Sequence, residues 1–407
     1  MSVKKVIKYN DLKSTLNLII NNKQDNDLAY FTHYLQNLNT PSAKCYHLPA
    51  KKYFESLQGR NIILTKSGID AFTPTDYSDI PFPPPKESKF TFIDLFAGIG
   101  GFRIALQSFG GKCVFSSEIN VSAKKTYELN FGEVPFGDIK EFTSVSVTDD
   151  NLNDLIPDHH LLAGGFPCQP FSLAGVSARN HLGISHGFLD TIQGNLFFDI
   201  ARIVSVKKPK IVFLENVKNF KSHNGGNTYQ TVKSIMENLG YDFHSKVINA
   251  NQLVPQNRQR FYMVCFLGGN KDFVFPEFTG DPIPLKKILE ENVPDEYTIS
   301  DKLWLGHQKR TKTNLERGTG FTAFTADLNK PSNTIVARYG KDGKECLIPQ
   351  TGKNPRKLTP RECARLQGFP EHFSLPSSNA AAYRQFGNSV AVPIITAIAL
   401  EILKHEI

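Results

Sequence analysis

The rhythm of apolar and polar positions changes twice along this chain. Up to about residue 80 the sequence is polar, Asn-rich and Lys-bearing. Within it Asp11 to Ile20 and Leu28 to Leu38 place Leu, Ile or Phe at near-helical spacing, which predicts two short helices. The run Ile80-Pro-Phe-Pro-Pro-Pro-Lys-Glu-Ser88 follows. Its prolines lack amide donors and fix φ, so it predicts a stiff linker. From Lys89 short apolar runs recur, at Phe90–Phe96, Cys113–Ser117, Leu161–Ala163, Ile211–Leu214 and Phe261–Phe266. Stretches of helical periodicity separate them. In Asn195–Val206, for example, Leu196, Phe197, Ile200, Ile203 and Val204 share one face. Strands alternating with helices predict an α/β fold, a mostly parallel sheet with helices on both sides and ligands beyond the carboxyl ends of its strands. Between about Pro276 and Thr359 the alternation fails, and Gly, Thr, Lys, Arg and Asn predict a smaller, loop-rich domain. The tail from Ala380 to Ile407 returns to helical spacing and is expected to pack back on the large domain.

Composition narrows the class without naming a function. At 407 residues the chain can bury one large core and a smaller one. The apolar fraction of 40% and charged fraction of 21% are those of an ordinary globular protein. No uninterrupted apolar run reaches the roughly 18 residues of a membrane span. The start, Met1 to Lys5, has no apolar stretch or cleavage site behind its lysines, so a protein that is not exported is expected. Six scattered cysteines form no CxxC pair and no Cys/His cluster. That predicts no metal site, no disulfide framework and a reducing compartment. A net charge of +8 is compatible with a polyanion partner and does not require one.

Several stretches carry candidate chemistry. In Phe92-Ile-Asp-Leu-Phe96-Ala-Gly98-Ile-Gly100-Gly101 a strand runs into a glycine turn and a helix at Phe102–Phe109, where backbone can approach a ligand closely. Glu118 ends the next strand, where a carboxylate can hold ribose hydroxyls. The spacing departs from GxGxxG, which counts against NAD, and a purely structural turn stays open. Asp138, in Gly137-Asp138-Ile139, closes a third strand-like stretch. It can accept from an adenine amino group while Ile139 packs on the ring, or it can simply cap a helix. Cys168 lies in Ala163-Gly-Gly-Phe-Pro167-Cys168-Gln169-Pro170-Phe-Ser172. Buried structural cysteine is the ordinary alternative, but prolines and glycines at a strand end expose a thiol and fix its direction, as a nucleophile needs. Glu215, in Phe213-Leu-Glu215-Asn216-Val217, is a strand-end carboxyl able to protonate a ring nitrogen beside a reactive thiol. Arg258 and Arg260, in Gln256-Asn-Arg258-Gln-Arg260, are two apart on an expected strand and hence on one face, suited to phosphate or carboxylate. Gln385-Phe-Gly387-Asn388-Ser389-Val390 is expected to open the final helix, with Asn388 or Ser389 as possible caps.

Taken in this order, the stretches resemble the DNA cytosine-5 methyltransferase family, especially bacterial restriction-modification enzymes. The matching pieces are DLFAGIGG (94–101), Glu118, GDI (137–139), GGFPCQPFS (164–172), ENV (215–217), QNRQR (256–260), RECARLQGFP (361–370) and QFGNSVAVP (385–393). The resemblance implies a Rossmann-like S-adenosylmethionine-dependent methyltransferase domain at 89–275, completed by 376–407, and a target-recognition domain at 276–375, after an N-terminal extension and Pro-rich linker at 1–88. It implies a cofactor pocket lined by Phe96, Gly98, Gly100, Glu118, Ile119, Asp138, Ile139, Pro167, Asn388 and Val390, with S-adenosylhomocysteine as product. It assigns Cys168 as nucleophile, Glu215 as partner of cytosine N3 and the exocyclic amine, and Arg260 with Arg258 as groups orienting the base. Gln169, Ser172 and Arg338 become DNA contacts. A cytoplasmic, monomeric bacterial enzyme is expected, without a metal, acting on double-stranded DNA beside a cognate restriction endonuclease that it does not stably bind. Two departures stand out: Ile119 replaces the aromatic residue common after the ribose carboxylate, and the Gly175–Gly194 loop is longer than usual. That loop is expected to be mobile and to close over DNA. Rival readings are a tRNA cytosine-5 methyltransferase, a DNA-binding regulator that reads DNA through residues 1–80, and a cysteine hydrolase, for which no His/Asn or His/Asp pairing is evident.

Overall fold

The computed structural model describes residues 6–20, 26–58, 75–167, 196–270, 272–318 and 323–406. The chain forms two compact units, one of Met1–Val247, Arg260–Val274 and Leu400–Ile407, the other of Ile248–Gln259 and Phe275–Ala399.

The first unit opens with three helices, α1 (Tyr9–Leu16), α2 (Asn26–Asn37) and α3 (Ala43–Gln58). Strands β1 (Phe90–Leu95), β2 (Gly111–Ser117), β3 (Leu161–Gly165), β4 (Ile211–Val217), β5 (Tyr241–Asn249) and β6 (Gln259–Leu267) form one six-stranded sheet in the order β2-β1-β3-β4-β6-β5. β1 pairs in parallel with β2 and β3, and β3 with β4, while β6 runs antiparallel to β4. Helices α4 (Gly101–Ser108), α5 (Val121–Phe131), α6 (Lys140–Thr143), α7 (Asp149–Leu155), α8 (Leu196–Lys207) and α9 (Asn227–Asn238) accompany the strands. The expected strands are there because both faces of the sheet are covered. Ile93, Leu95, Leu161–Ala163 and Ile211–Leu214 are all buried, and a parallel sheet covered on both sides needs such continuous apolar runs. From β1 the chain goes outward to β2 and then returns to the other side of β1 for β3. That reversal is the switch point at which open α/β sheets bind ligands.

The N-terminal segment is part of this core. Leu12, Leu16, Phe31, Leu35, Tyr46 and Phe54 share one buried cluster with Ile93, Phe115, Ile139 and Phe142. Buried polar groups join them to the sheet. The Tyr46 hydroxyl donates to the Val114 carbonyl, and Arg103 donates to Gln36 (2.9 Å) and Glu133 (2.7 Å). Burial pushes the Glu133 carboxyl up, yet Arg103 and His33 beside it hold it below the ordinary range. The proline run is also seated rather than free: Phe82 N–H donates to the Asn130 carbonyl (2.9 Å), and the Gln107 amide donates to the Pro83 carbonyl (2.5 Å).

The second unit is loop-rich and holds a 16-residue helix that the apolar pattern did not signal, α10 (Asp301–Glu316). It also contains a hairpin of Ile348–Gln350 with Lys353–Arg356, and α11 (Pro360–Leu366). Thr359 and Glu362 close a capping box on α11, and Glu362 takes both nitrogens of the Arg356 fork at 2.7 and 2.8 Å. The tail is two helices, α12 (Asn379–Asn388) and α13 (Val392–Glu406). By length and composition alone Asn379–Lys404 could cross a membrane. It is broken at Ser389–Ala391, and Ile394, Ile395, Ile398 and Ile402 are buried within the protein.

Candidate active site

The glycine turn after β1 is built for close approach. Phe96, Gly98 and Gly100 all have positive φ (55°, 55° and 87°). At Gly100 a Cβ would fall on the Phe131 ring, whereas at Gly98 it would face open space, with nothing nearer than the Phe96 carbonyl oxygen at 4.0 Å. The Glu118 carboxylate, just past β2, accepts from Gly98 N–H (2.8 Å) and Asn120 N–H (2.7 Å), so the turn and the acidic residue form one rigid piece. Burial pushes the Glu118 carboxyl up, and these backbone donors oppose the shift. Ile119 beside it is 47% exposed, an aliphatic surface open to solvent on one side.

Asp138 is half-buried, and its Oδ1 accepts from Lys140 N–H (3.1 Å). The expected third strand before it is a single bridge, Ser117 to Phe136. Ile139 is 2% exposed and belongs to the core cluster, so its side chain faces inward rather than into the expected ring contact. A positive-φ turn, a carboxylate on backbone donors, a second carboxylate on the segment bridged to β2 and a half-exposed aliphatic residue fit an adenosine-type group.

β3 and β4 bring the reactive segments together. Gly165 is the register partner of Glu215, and the Asn216 amide donates to the Phe166 carbonyl (2.9 Å). Asn216 was not singled out from sequence, although its place beside Glu215 is the signal that marks it. Phe166 is buried among Phe197 and Phe220 (ring centroids 5.9 and 5.6 Å), which anchors the stem, and Pro167 is exposed at its end. Cys168, Gln169, Ser172 and the Gly175–Gly194 loop lie outside the described residues. Glu215 is 9% exposed and pairs with Arg260, Nε to Oε1 at 3.1 Å. Antiparallel pairing of β4 with β6 sets Arg260 opposite Val217.

Arg258 does not share that face. The backbone leaves the strand at position 258, and the buried guanidinium donates to the carbonyls of Ile335 (3.2 Å), Gly387 (3.3 Å) and Ser389. It fastens backbone within the second unit. Asn388 ends α12 instead of opening the last helix, which starts at Val392. Asn388 is exposed and Val390 is buried. Gly387 is required there because a Cβ would strike the Val336 backbone. Arg338 is exposed in the second unit before the one-turn helix Tyr339–Asp342, with Glu345 at 3.7 Å.

Comparison with known proteins bears on these segments directly. The family described as C-5 cytosine-specific DNA methylase matches residues 90–404. The chain is 49% identical over 332 residues to the type II methyltransferase M1.ScrFI of Lactococcus lactis subsp. cremoris, covering 80% of each chain. It is 50% identical over 316 residues to the type II methyltransferase M.NlaX of Neisseria lactamica, covering 76% of this chain and 95% of that one. In fold it is similar to the crystal structure of the S. pombe Dnmt2 methyltransferase, with a TM-score of 0.60, 20% identity, and coverage of 78% of this chain and 99% of that one. With a match across both units and relatives near half identity, the chain belongs to the C-5 cytosine-specific DNA methylase family and is a DNA (cytosine-5-)-methyltransferase.

Proposed function

We propose that this methyltransferase acts on a cytosine turned out of duplex DNA, through a covalent bond between Cys168 and ring carbon C6, and that it shields the DNA of its bacterial host from a cognate restriction endonuclease. The observation that carries the reading is the β3–β4 register. β3 delivers the chain beside Glu215 three residues before Cys168, and Asn216 ties down the stem. The remaining cysteines are poor candidates. Burial pushes the Cys346 thiol up to about 12 and those of Cys113, Cys265 and Cys363 well above the usual range, and Cys45 is raised as well. Thiolate, the reactive form, is therefore scarce at all of them near neutral pH.

Extrusion of the base costs a few kcal/mol and exposes ring atoms that pairing hides. The Cys168 thiolate adds to C6 and forms the C–S bond. Glu215, held by Arg260, sits at N3 and stabilises the electron density pushed into the ring. The 96–100 turn, Glu118 and Asp138 would hold S-adenosylmethionine, whose sulfonium would supply an electrophilic methyl group for C5 and leave as the thioether S-adenosylhomocysteine. The C5 proton then passes to a base, the C–S bond breaks, and Cys168 leaves as thiolate. The reading includes a cytoplasmic, monomeric enzyme that needs no metal, with Gln169, Ser172 and Arg338 on DNA.

The test is expression in a host lacking cytosine methylation, followed by bisulfite sequencing of its genome. The intact protein is expected to mark one short sequence, and Cys168→Ser to leave no mark while still binding DNA. Methylation by Cys168→Ser at close to the intact rate would overturn the covalent step.

A further inference from the structure

Helix α2 runs alongside the segment that leads to Asp138 and touches it at nearly every turn. Its first residue, Asn26, accepts from Gly137 N–H (2.8 Å) and donates to the Glu141 carboxylate (2.6 Å), so one carboxamide grips both sides of Asp138. Tyr30 packs edge-on against Phe136 (centroids 4.8 Å apart). Thr32 accepts from Val134 N–H (3.0 Å), and Gln36 donates to the Phe131 carbonyl (2.5 Å). As α2 advances from 26 to 36, its partners retreat from 141 to 131. The same segment supports the other carboxylate, since the Phe136 carbonyl accepts from Glu118 N–H (2.9 Å).

We propose that Asn26, at the head of this splint, is a positioning residue for the adenine end of the cofactor: it holds the Gly137–Asp138 turn in the shape that lets Asp138 meet the adenine amino group. The inference rests on the cofactor-site reading above and gives the N-terminal segment a part in that site. A backbone N–H and a carboxylate satisfied by one neutral side chain fix a turn without adding charge beside Asp138. Burial and the nearby Asp138 both push the Glu141 carboxyl up, and the Asn26 donor opposes them, which keeps the two acids apart in role. Without Asn26 the turn loses its brace, and Glu141 is free to compete for the space in front of it.

The test compares the whole protein with Asn26→Ala and Asp138→Ala, titrating each by calorimetry with S-adenosylhomocysteine and with S-inosylhomocysteine, which bears a carbonyl in place of the adenine amino group. Unfolding midpoints without ligand serve as the control for the fold. Asn26→Ala is expected to weaken S-adenosylhomocysteine binding about fivefold, the scale of one hydrogen bond. It is also expected to narrow the preference over the inosyl analogue by a similar factor, with an unfolding midpoint near that of the parent. Unchanged affinity and preference would overturn the proposal. So would equal weakening of both ligands together with a lowered midpoint, the mark of a merely structural contact. Failure of the underlying reading looks different: the parent protein would not bind S-adenosylhomocysteine, or Asp138→Ala would leave the preference intact.

Discussion

Gly98 and Gly100 share a positive φ and answer to different demands. At Gly98 the left-handed backbone is the only obstacle to a side chain, since a Cβ there meets open space. That strain is about 1–2 kcal/mol. At Gly100 the same strain is joined by collision with the buried Phe131 ring, and overpacking adds about 1–3 kcal/mol. Gly98→Ala is therefore expected to stay folded, with a small loss in urea unfolding, while its methyl group enters the open side of the turn and, on the proposed cofactor reading, weakens S-adenosylhomocysteine binding. Gly100→Ala is expected to lose stability by roughly twice as much or more. If Gly98→Ala bound the cofactor product as the parent does, the open side of that turn would not be the ligand side. The paired arginines show the limit of spacing at this scale. Two residues apart on a strand means one face, but the chain steps out of the ladder at 258, so Arg258 turns to carbonyls and only Arg260 meets Glu215.

At the scale of elements, the strands that were legible are those buried on both faces. β5 gave no signal, because most of Tyr241–Asn249 is only half-buried and polar residues interrupt its apolar ones. α10 was silent for a similar reason, burying only His307 and Thr311. α1 and α2 were legible as helices, but an apolar stripe says that a face is covered and not by what. Their destination in the main core, and with it the hold of Asn26 on Gly137, depended on contacts more than a hundred residues apart in the chain. The described helices before residue 59 therefore belong to the core of the first unit. Two histidines are buried in this unit as well. His33 of α2 accepts from Ser116 N–H (3.2 Å), and His159, before β3, has Nδ1 at 2.8 Å from the Pro157 carbonyl. Burial lowers both, His159 to about 4. Unfolded histidine titrates near 6.5, so between about pH 6.5 and 4 the unfolded chain binds more protons and stability falls on acidification. Urea midpoints measured from pH 7.5 to 4.5 are expected to drop in that window. His159→Gln should flatten the drop by up to about one proton's worth of slope. An equally steep drop in the variant would mean that His159 is not held neutral.

For the whole molecule the decisive quantity is charge. Net +8 with a pI near 9.0 says little by itself, but in a DNA methyltransferase it meets a partner with one negative charge per about 1.7 Å of duplex axis. Exposed Lys309, Arg310, Lys312 and Arg317 on and just after α10 add a basic surface within the second unit. Each phosphate neutralised releases counterions and contributes about −0.9 to the slope of log affinity against log salt. Phosphate contacts position a duplex whatever its sequence, while base edges carry the discrimination. The two contributions separate in one titration. Affinities for a duplex bearing the methylated sequence and for a scrambled one, measured from about 50 to 200 mM salt, are expected to fall along nearly parallel lines, because that range isolates the counterion contribution. The gap between the lines then measures recognition by base contacts and extrusion of the cytosine, neither of which releases many ions. A specific line steeper by several contacts would show that recognition recruits further cations to the backbone, and specificity would then be electrostatic in part rather than read from the bases alone.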